Sequence, residues 1–322
     1  MAAENIDVLL IGPPKPVMVK GLRPTFNLID LPPKEAREKF FADAATRVRG
    51  MAIAATSERI DGEFMGRFPR LEIIASFGVG YDHVDAAWAG AHGITVTNTP
   101  DVLTEEVADT ALGLLLCTVR ELPQAERYLR AGKWEKQHYP LTAATLRNRT
   151  VGMVGMGRIG RAIARRLDAF AVPVVYHARR PVEGAPYKHY PNLIAMAEDV
   201  DTLMVIVPGG AETRKLIDAK VLDALGPQGI LINMARGSVV DEDALIAALQ
   251  EKRIFSAGLD VYAQEPKVPK ELIDMETVVL FPHLGSATVY TRAAMDQLVV
   301  DNIMAWAAGK RPLTPVPETP VK

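Results

Sequence analysis

The sequence predicts an α/β protein built from two doubly wound domains. Short Val- and Ile-rich runs alternate with segments of helical period almost from end to end, and each run closes on a loop. A long apolar helix interrupts the alternation once, after which it resumes. Parallel strands joined by crossover helices produce this pattern, because strands covered on both faces read as continuous apolar runs.

In chain order, "DVLLIG", "MAIAAT", "LEIIASFG" and "ITVTN" are expected as four buried strands, with "PKEAREKFFADA" and "DAAWAGAH" among the intervening helices. From Asp101, "VLTEEVADTALGLLLCTVREL" reads as one helix running to Pro123 and linking two bodies. Asp101 or Thr104 would cap it, and Glu105 and Glu106 suit its first turn. A second alternation follows in "RTVGMVGMG", "VPVVYHA", "DTLMVIVP", "GILINMA", "FSAGLDVY" and "TVVLFPH", six strands of a nucleotide-binding sheet. The last helical segment, "VYTRAAMDQLVVDNIMAWAAG", would cross back to the first domain before a Pro-rich tail. The expected division is a discontinuous, flavodoxin-like domain, 1–99 plus 287–322, and a Rossmann-type domain, 100–286.

At 322 residues, 48% hydrophobic and 24% charged, the composition is that of a folded chain rather than a disordered one. A formal net charge of −2 supplies no broad positive field, so neither nucleic acid nor a membrane surface is an expected partner. No apolar stretch reaches the roughly 18 residues of a membrane helix. The opening "MAAENIDVLLIGPP" is acidic where a secretion signal is basic, and reads as the first strand. Cys117, the one cysteine, permits no internal disulfide and no thiolate cluster, which suits a reducing cytoplasm. His83, His92, His138 and His189 form no ligand pattern, so no metal is expected.

"VGMVGMGRIG" sets Gly155, Gly157 and Gly160 in G-x-G-x-x-G spacing between a strand and a helix. The first allows a tight turn, the second lets the backbone approach a pyrophosphate, and the third lets helix and strand pack closely. With Met156, Arg158 and Ile159 they are expected to hold a dinucleotide at the helix N-terminus. About twenty residues on, an NAD site presents Asp or Glu to the ribose 2′-hydroxyl. Here "VVYHARRP" offers His177, Arg179 and Arg180. A carboxylate would repel the extra phosphate of NADP, whereas guanidinium groups bind it through charge-assisted forks. The expected cofactor is NADP(H), with NAD(H) as the weaker alternative; a solvated basic turn is the plainer reading.

Ligands gather beyond the carboxyl ends of strands in open α/β sheets. "GILINMAR" ends at Arg236, "FSAGLDVYAQEP" carries Asp260 and Glu265, and "TVVLFPH" ends at His283. A 2-oxo acid needs donors for its carboxylate and a proton for its carbonyl oxygen. Arg236 would pair with the carboxylate, His283 would act as general acid, and Glu265 would fix the imidazole tautomer and favour its protonated form. Asp260 reads either as support behind this group or as a contact to the nicotinamide. Val207, Pro208 and Thr213 of "VIVPGGAET", Ala235 and Gly285 complete the expected dinucleotide contacts, to which Arg236, Asp260 and His283 also belong. Taken singly, a loop ion pair, a capping carboxylate and a buried imidazole remain open for Arg236, Glu265 and His283.

"VGMVGMGRIG", "LINMARGSVVDEDAL", "AGLDVYAQEP" and "FPHLGSAT", in that order and spacing, resemble the D-isomer-specific 2-hydroxyacid dehydrogenases along nearly the whole chain. The resemblance implies that Arg236, Glu265 and His283 are the catalytic set. It also implies that the substrate carboxylate binds backbone amides in "SFGVGYD", at Val79 and Gly80, and that Ser286 lies near the substrate. It further implies a homodimer, with the helix from Thr104 to Leu122 suited to the interface and Trp134 reaching the partner's site. The arginine pair and "FPHLGSATVYTR" are most similar to glyoxylate/hydroxypyruvate reductases, which implies NADPH-preferring reduction of small 2-oxo acids. Gly209 and Gly210 stand where many relatives have bulkier residues, which bears on the cofactor's ribose and nicotinamide contacts. Val289 and Tyr290 stand where some close reductases have basic or polar residues, which leaves the preference among 2-oxo acids open, a broader phenylpyruvate or hydroxyphenylpyruvate type of reductase included. A non-enzymatic, NAD(P)-sensing corepressor of the same fold is the alternative of another class. Phosphoglycerate dehydrogenase lacks support because no regulatory domain follows His283, and formate dehydrogenase because Glu265 stands where it has an amide.

Overall fold

The computed structural model describes residues 6–54 and 58–319. The first five residues of the expected first strand segment, and Ala55 and Thr56 of "MAIAAT", lie outside them. The chain divides into two compact units, one reaching to Leu103 and resuming at Thr288, the other spanning Thr104–Ala287.

The first unit runs β1 (Ile6–Ile11), α1 (Pro16–Leu22), β2 (Phe26–Asp30), α2 (Arg37–Asp43), β3 (Val48–Ile53), α3 (Gly62–Gly66), β4 (Ile73–Ser76), α4 (Ala86–Ala91) and β5 (Thr95–Thr97). Its five strands are all parallel, in the order β2-β1-β3-β4-β5. Leu9, Ile11, Met51, Ile53 and Ile74 form one side of its core with Met65, Phe68 and Ala89 from the helical layer. Asp61 and Asp85 cap α3 and α4 through the Phe64 and Trp88 amides.

The second unit begins with α5 (Thr104–Arg120) and α6 (Leu122–Arg130), then β6 (Val151–Val154), α7 (Arg158–Ala169), β7 (Val174–His177), β8 (Lys188–Tyr190), α8 (Leu193–Asp199) and β9 (Thr202–Val205). It continues with α9 (Ala219–Leu225), β10 (Ile230–Asn233), α10 (Glu242–Gln250), β11 (Ser256–Leu259), α11 (Lys270–Asp274) and β12 (Val279–Leu280). The parallel order is β12-β11-β10-β9-β6-β7-β8, so the strand order reverses beside β6, where open sheets bind ligands. Strands β6, β9, β10 and β11 are buried at every residue, which is why they read as unbroken apolar runs. The chain then returns to the first unit through α12 (Val289–Ala307), capped by Thr288 and packed on β3, β4 and α1.

Three expectations change. Each sheet has one strand more than expected, β2 in "FNLID" and β8 in "KHY". Both are edge strands, partly exposed, so solvent on one flank lets polar residues break the apolar signal. The helix expected to run from Asp101 to Pro123 is two helices. Glu121 adopts φ of 51° between them, and Pro123 sits in the first turn of α6, where its missing N–H costs nothing. Nor is α5 a free connector, because it packs on α7, β10 and β11 inside the second unit. Among the described residues, no helix is long and apolar enough to cross a membrane.

Leu114 of α5 is fully buried in this layer. Leu114→Ala is expected to destabilise the protein by about 2–5 kcal/mol through the lost transfer energy and the cavity left behind. Urea unfolding checks this, and a change under about 1 kcal/mol would show that α5 is not a core element.

Candidate active site

The nucleotide turn is shaped by what its glycines exclude. Gly155, directly after β6, has φ of 102°, and a Cβ there would lie 2.5 Å from the Ile206 carbonyl oxygen. A Cβ at Gly160 would lie 2.5 Å from the Gly155 carbonyl oxygen, so helix and turn touch through backbone. A Cβ at Gly157 would meet nothing within 4 Å. Gly157 is also the N-cap of α7, without a side-chain cap and with no acidic residue in the first turn of Arg158, Ile159 and Gly160. An open, uncapped helix N-terminus beside Met156 and Gly157 fits a pyrophosphate, and the residues present thus suit a dinucleotide.

His177 ends β7 opposite Val154, with its carbonyl accepting the Gly155 amide. Its Nδ1 lies 2.9 Å from the Tyr190 carbonyl oxygen, which ties the ring to β8. Arg180 is exposed, and Arg179 is bonded to the Glu212 carboxylate in the 3-10 turn Ala211–Thr213. Both partners of that pair are exposed, so it is weak and open to competition. After β9, Val207 packs beside Gly155, and the Thr213 hydroxyl donates to the Pro208 carbonyl at 2.7 Å.

The next three strand ends bring acid-base groups together. Asn233, 1% exposed at the end of β10, accepts the Ala235 amide at 3.0 Å and donates to the Arg236 carbonyl at 3.1 Å. Arg236, half-buried, donates through Nη1 to the Ala235 carbonyl at 2.8 Å. Gly237 then comes so close to the next loop that a Cβ would lie 1.9 Å from the Tyr262 carbonyl group. Past β11, Glu265 accepts the Tyr262 amide on Oε1 at 3.0 Å, and its Oε2 lies 2.7 Å from His283 Nδ1. A carboxylate acceptor there puts a proton on Nδ1 and leaves Nε2 for exchange.

His283 follows β12 with φ of 51°, a left-handed backbone. Its amide donates to the Asp260 carbonyl at 2.9 Å. The Asp260 side chain, 2% exposed, accepts the Leu284 amide at 2.7 Å and the Gly285 amide at 3.0 Å. Of the two roles open for Asp260, its contacts are those of support behind His283.

In the first unit, Gly78 has φ of 120° and opens the turn that carries Val79 and Gly80. Among the described residues, neither the Val79 nor the Gly80 amide has a hydrogen-bond partner. Neighbouring unsatisfied amides make an anion-binding concavity. Ser286 is half-buried in the second unit, and Trp134, 59% exposed, stands in the 3-10 turn Lys133–Glu135 after α6.

A family model, D-isomer specific 2-hydroxyacid dehydrogenase, NAD binding domain, matches residues 112–285. The chain is 43% identical over 313 residues to a glyoxylate/hydroxypyruvate reductase of Arabidopsis thaliana, covering 97% of this chain and 99% of that one. The chain belongs to the D-isomer specific 2-hydroxyacid dehydrogenase family. It is also 41% identical, over 97% of its length and 99% of the relative's, to a hydroxyphenylpyruvate reductase of Plectranthus scutellarioides. A crystal structure of an NADPH-dependent glyoxylate/hydroxypyruvate reductase of Sinorhizobium meliloti, in complex with NADP and malonate, superposes with a TM-score of 0.92. The two are 50% identical, and 99% of each chain is covered.

Within this dehydrogenase, Glu265 carries opposed influences. Burial pushes its carboxyl up, but the hydrogen bond and charge of His283, the Tyr262 amide and the Arg236 guanidinium together hold it below its ordinary value. Burial pushes the Asp260 carboxyl up against the two amides that favour its charged form. Asn233, Tyr262 and Glu212 were missed as site residues by sequence reasoning. Only Asn233 left a signal, as a polar residue closing the apolar run "ILIN".

Because the folded value for Glu265 is depressed, its charged form contributes stability above the usual glutamate range and loses it as pH falls through the folded value. The carboxyl is expected to titrate below the ordinary glutamate range in the wild type. In His283→Ala, burial is opposed only by Tyr262 and Arg236, and the midpoint should rise. Carbon-13 NMR of the carboxyl measures both; an unmoved midpoint would deny the pairing.

Proposed function

We propose that the protein is an NADPH-preferring reductase that converts small 2-oxo acids, glyoxylate and hydroxypyruvate, to 2-hydroxy acids. The observation that carries this reading is the His283–Glu265 pair at 2.7 Å, with Arg236 close enough to lower the Glu265 carboxyl. Reduced nicotinamide supplies the hydride for the carbonyl carbon. Arg236 binds the substrate carboxylate through its planar fork and draws electron density from the carbonyl. His283 donates the proton from Nε2 to the carbonyl oxygen, while Glu265 holds Nδ1. The unsatisfied Val79 and Gly80 amides bind the carboxylate, assisted by Ser286. The first unit thus contributes backbone amides for the substrate, and the second carries the dinucleotide turn and the acid-base set.

NADPH preference rests on Arg179 and Arg180 at the carboxyl end of β7, where an NAD enzyme places a carboxylate. The NADPH dependence of the S. meliloti reductase supports it. Its bound malonate, a small dicarboxylate, supports a site for small carboxylic acids. A homodimer is supported by the apolar side chains that α6 and the following segment expose: Leu122, Leu129, Trp134 and Leu141, the last 99% exposed. Trp134 would then reach the partner's substrate. A cytoplasmic location accords with the lone Cys117.

Initial rates with glyoxylate, hydroxypyruvate, pyruvate and phenylpyruvate, each with NADPH and NADH, test the activity; enzyme-like turnover of none of them would end the reading. His283→Ala is expected to lower kcat by about a hundred- to ten-thousandfold through lost proton transfer. A loss under tenfold would assign the proton to another group. The double variant Arg179→Ala/Arg180→Ala should reduce the NADPH over NADH preference by about ten- to a hundredfold. Retained preference would place the 2′-phosphate elsewhere.

A further inference from the structure

We infer that Asn98 is a positioning residue for the substrate carboxylate, fixing the direction of the Gly80 amide from behind. The inference rests on the proposed binding of that carboxylate by the Val79 and Gly80 amides. In a planar trans peptide the C=O and the following N–H point in opposite directions, so whatever holds the carbonyl aims the amide. Two successive peptides of this turn are held in that way. The Gly78 carbonyl accepts the Thr99 amide at 2.8 Å, which aims the Val79 N–H away from Thr99. The Val79 carbonyl accepts Asn98 Nδ2 at 2.8 Å, which aims the Gly80 N–H away from Asn98. Thr99, fully buried, also accepts the Gly78 amide on Oγ1 at 2.9 Å, so it holds the peptide on each side of Gly78.

Asn98 is itself held. Its carbonyl accepts the Thr314 hydroxyl at 2.6 Å, and its amide donates to the Thr314 carbonyl at 3.3 Å. Thr314 in turn donates its amide to Asn302 Oδ1 at 3.0 Å, and its hydroxyl accepts Asn302 Nδ2 at 2.9 Å. Asn302 is 1% exposed on α12 and also donates to the Leu298 carbonyl at 2.7 Å. The polar chain from α12 thus ends on the Val79 carbonyl, and the Val79 and Gly80 amides beside it lack a partner among the described residues. Prepared donors of this kind need no reorganisation when an anion arrives.

Asn98→Ala removes the donor behind Val79 and is expected to raise the KM for glyoxylate about tenfold, the lower end of what one bond to a charged group contributes. The kcat at saturating glyoxylate, the dissociation constant of NADPH measured by protein fluorescence and Tm should stay near wild type. Thr314→Val removes the hydroxyl that holds Asn98 at almost constant volume and should raise KM in the same direction by less. An unchanged KM in either folded variant would overturn the inference, as would a joint fall of kcat, NADPH affinity and Tm in both, the mark of a purely structural network. A wild-type enzyme that reduces no 2-oxo acid would instead overturn the functional reading.

Discussion

A carboxylate almost wholly withdrawn from water holds the proton-donating end of the site. An ionised group in that position is costly unless its lone pairs are filled, and burial alone pushes Asp260 toward its neutral form. The amides of Leu284 and Gly285 fill one position on each oxygen. Because these amides are consecutive, the turn after β12 is fixed in direction as well as in distance. His283 stands immediately before them in a left-handed backbone, which costs an L residue about 1–2 kcal/mol. The clamp offsets that strain and presents the imidazole to Glu265 at hydrogen-bonding distance.

A second constraint joins the other half of the set. The Arg236 loop is tied internally by Asn233, and at Gly237 it meets the Tyr262 carbonyl with no room for a side chain. Tyr262 supplies the amide that holds Glu265, and its hydroxyl bonds the Phe281 carbonyl two residues before His283. Guanidinium, carboxylate and imidazole therefore sit on three loops braced by the Gly237–Tyr262 backbone contact and by side-chain bonds from Asn233 and Tyr262. Side-chain substitutions at a distance have little purchase on such an arrangement, whereas Gly237 has no substitute of any size.

Much of this was legible in the sequence, for definable reasons. Buried parallel strands such as β6 and β10 are apolar at nearly every position, so they announce themselves, and the residues that break their apolar runs, Gly155 and Asn233, mark the sites. The edge strands β2 and β8 face solvent on one side and carry no such run. The break at Glu121 was invisible because nothing about a glutamate signals a left-handed backbone, and because proline at 123 suits a helix start as well as a helix end. The spacing of Arg236, Glu265 and His283 followed from strand ends, but the Arg179–Glu212 pair and the Asn98–Val79 bond depend on side chains that only the folded chain brings together.

The return of α12 to the first unit has a consequence for synthesis. A ribosome delivers β3 and β4 long before the helix that covers one of their faces, and the whole of Thr104–Ala287 emerges in the interval. The nascent amino-terminal sheet must wait with an apolar side uncovered, a state open to aggregation and to chaperone capture, while the inserted unit already holds every segment of its own core. Maturation of the polypeptide is thereby ordered from the middle outward, and the turn at Val79 and Gly80 reaches its final form only after the last helix has left the exit tunnel.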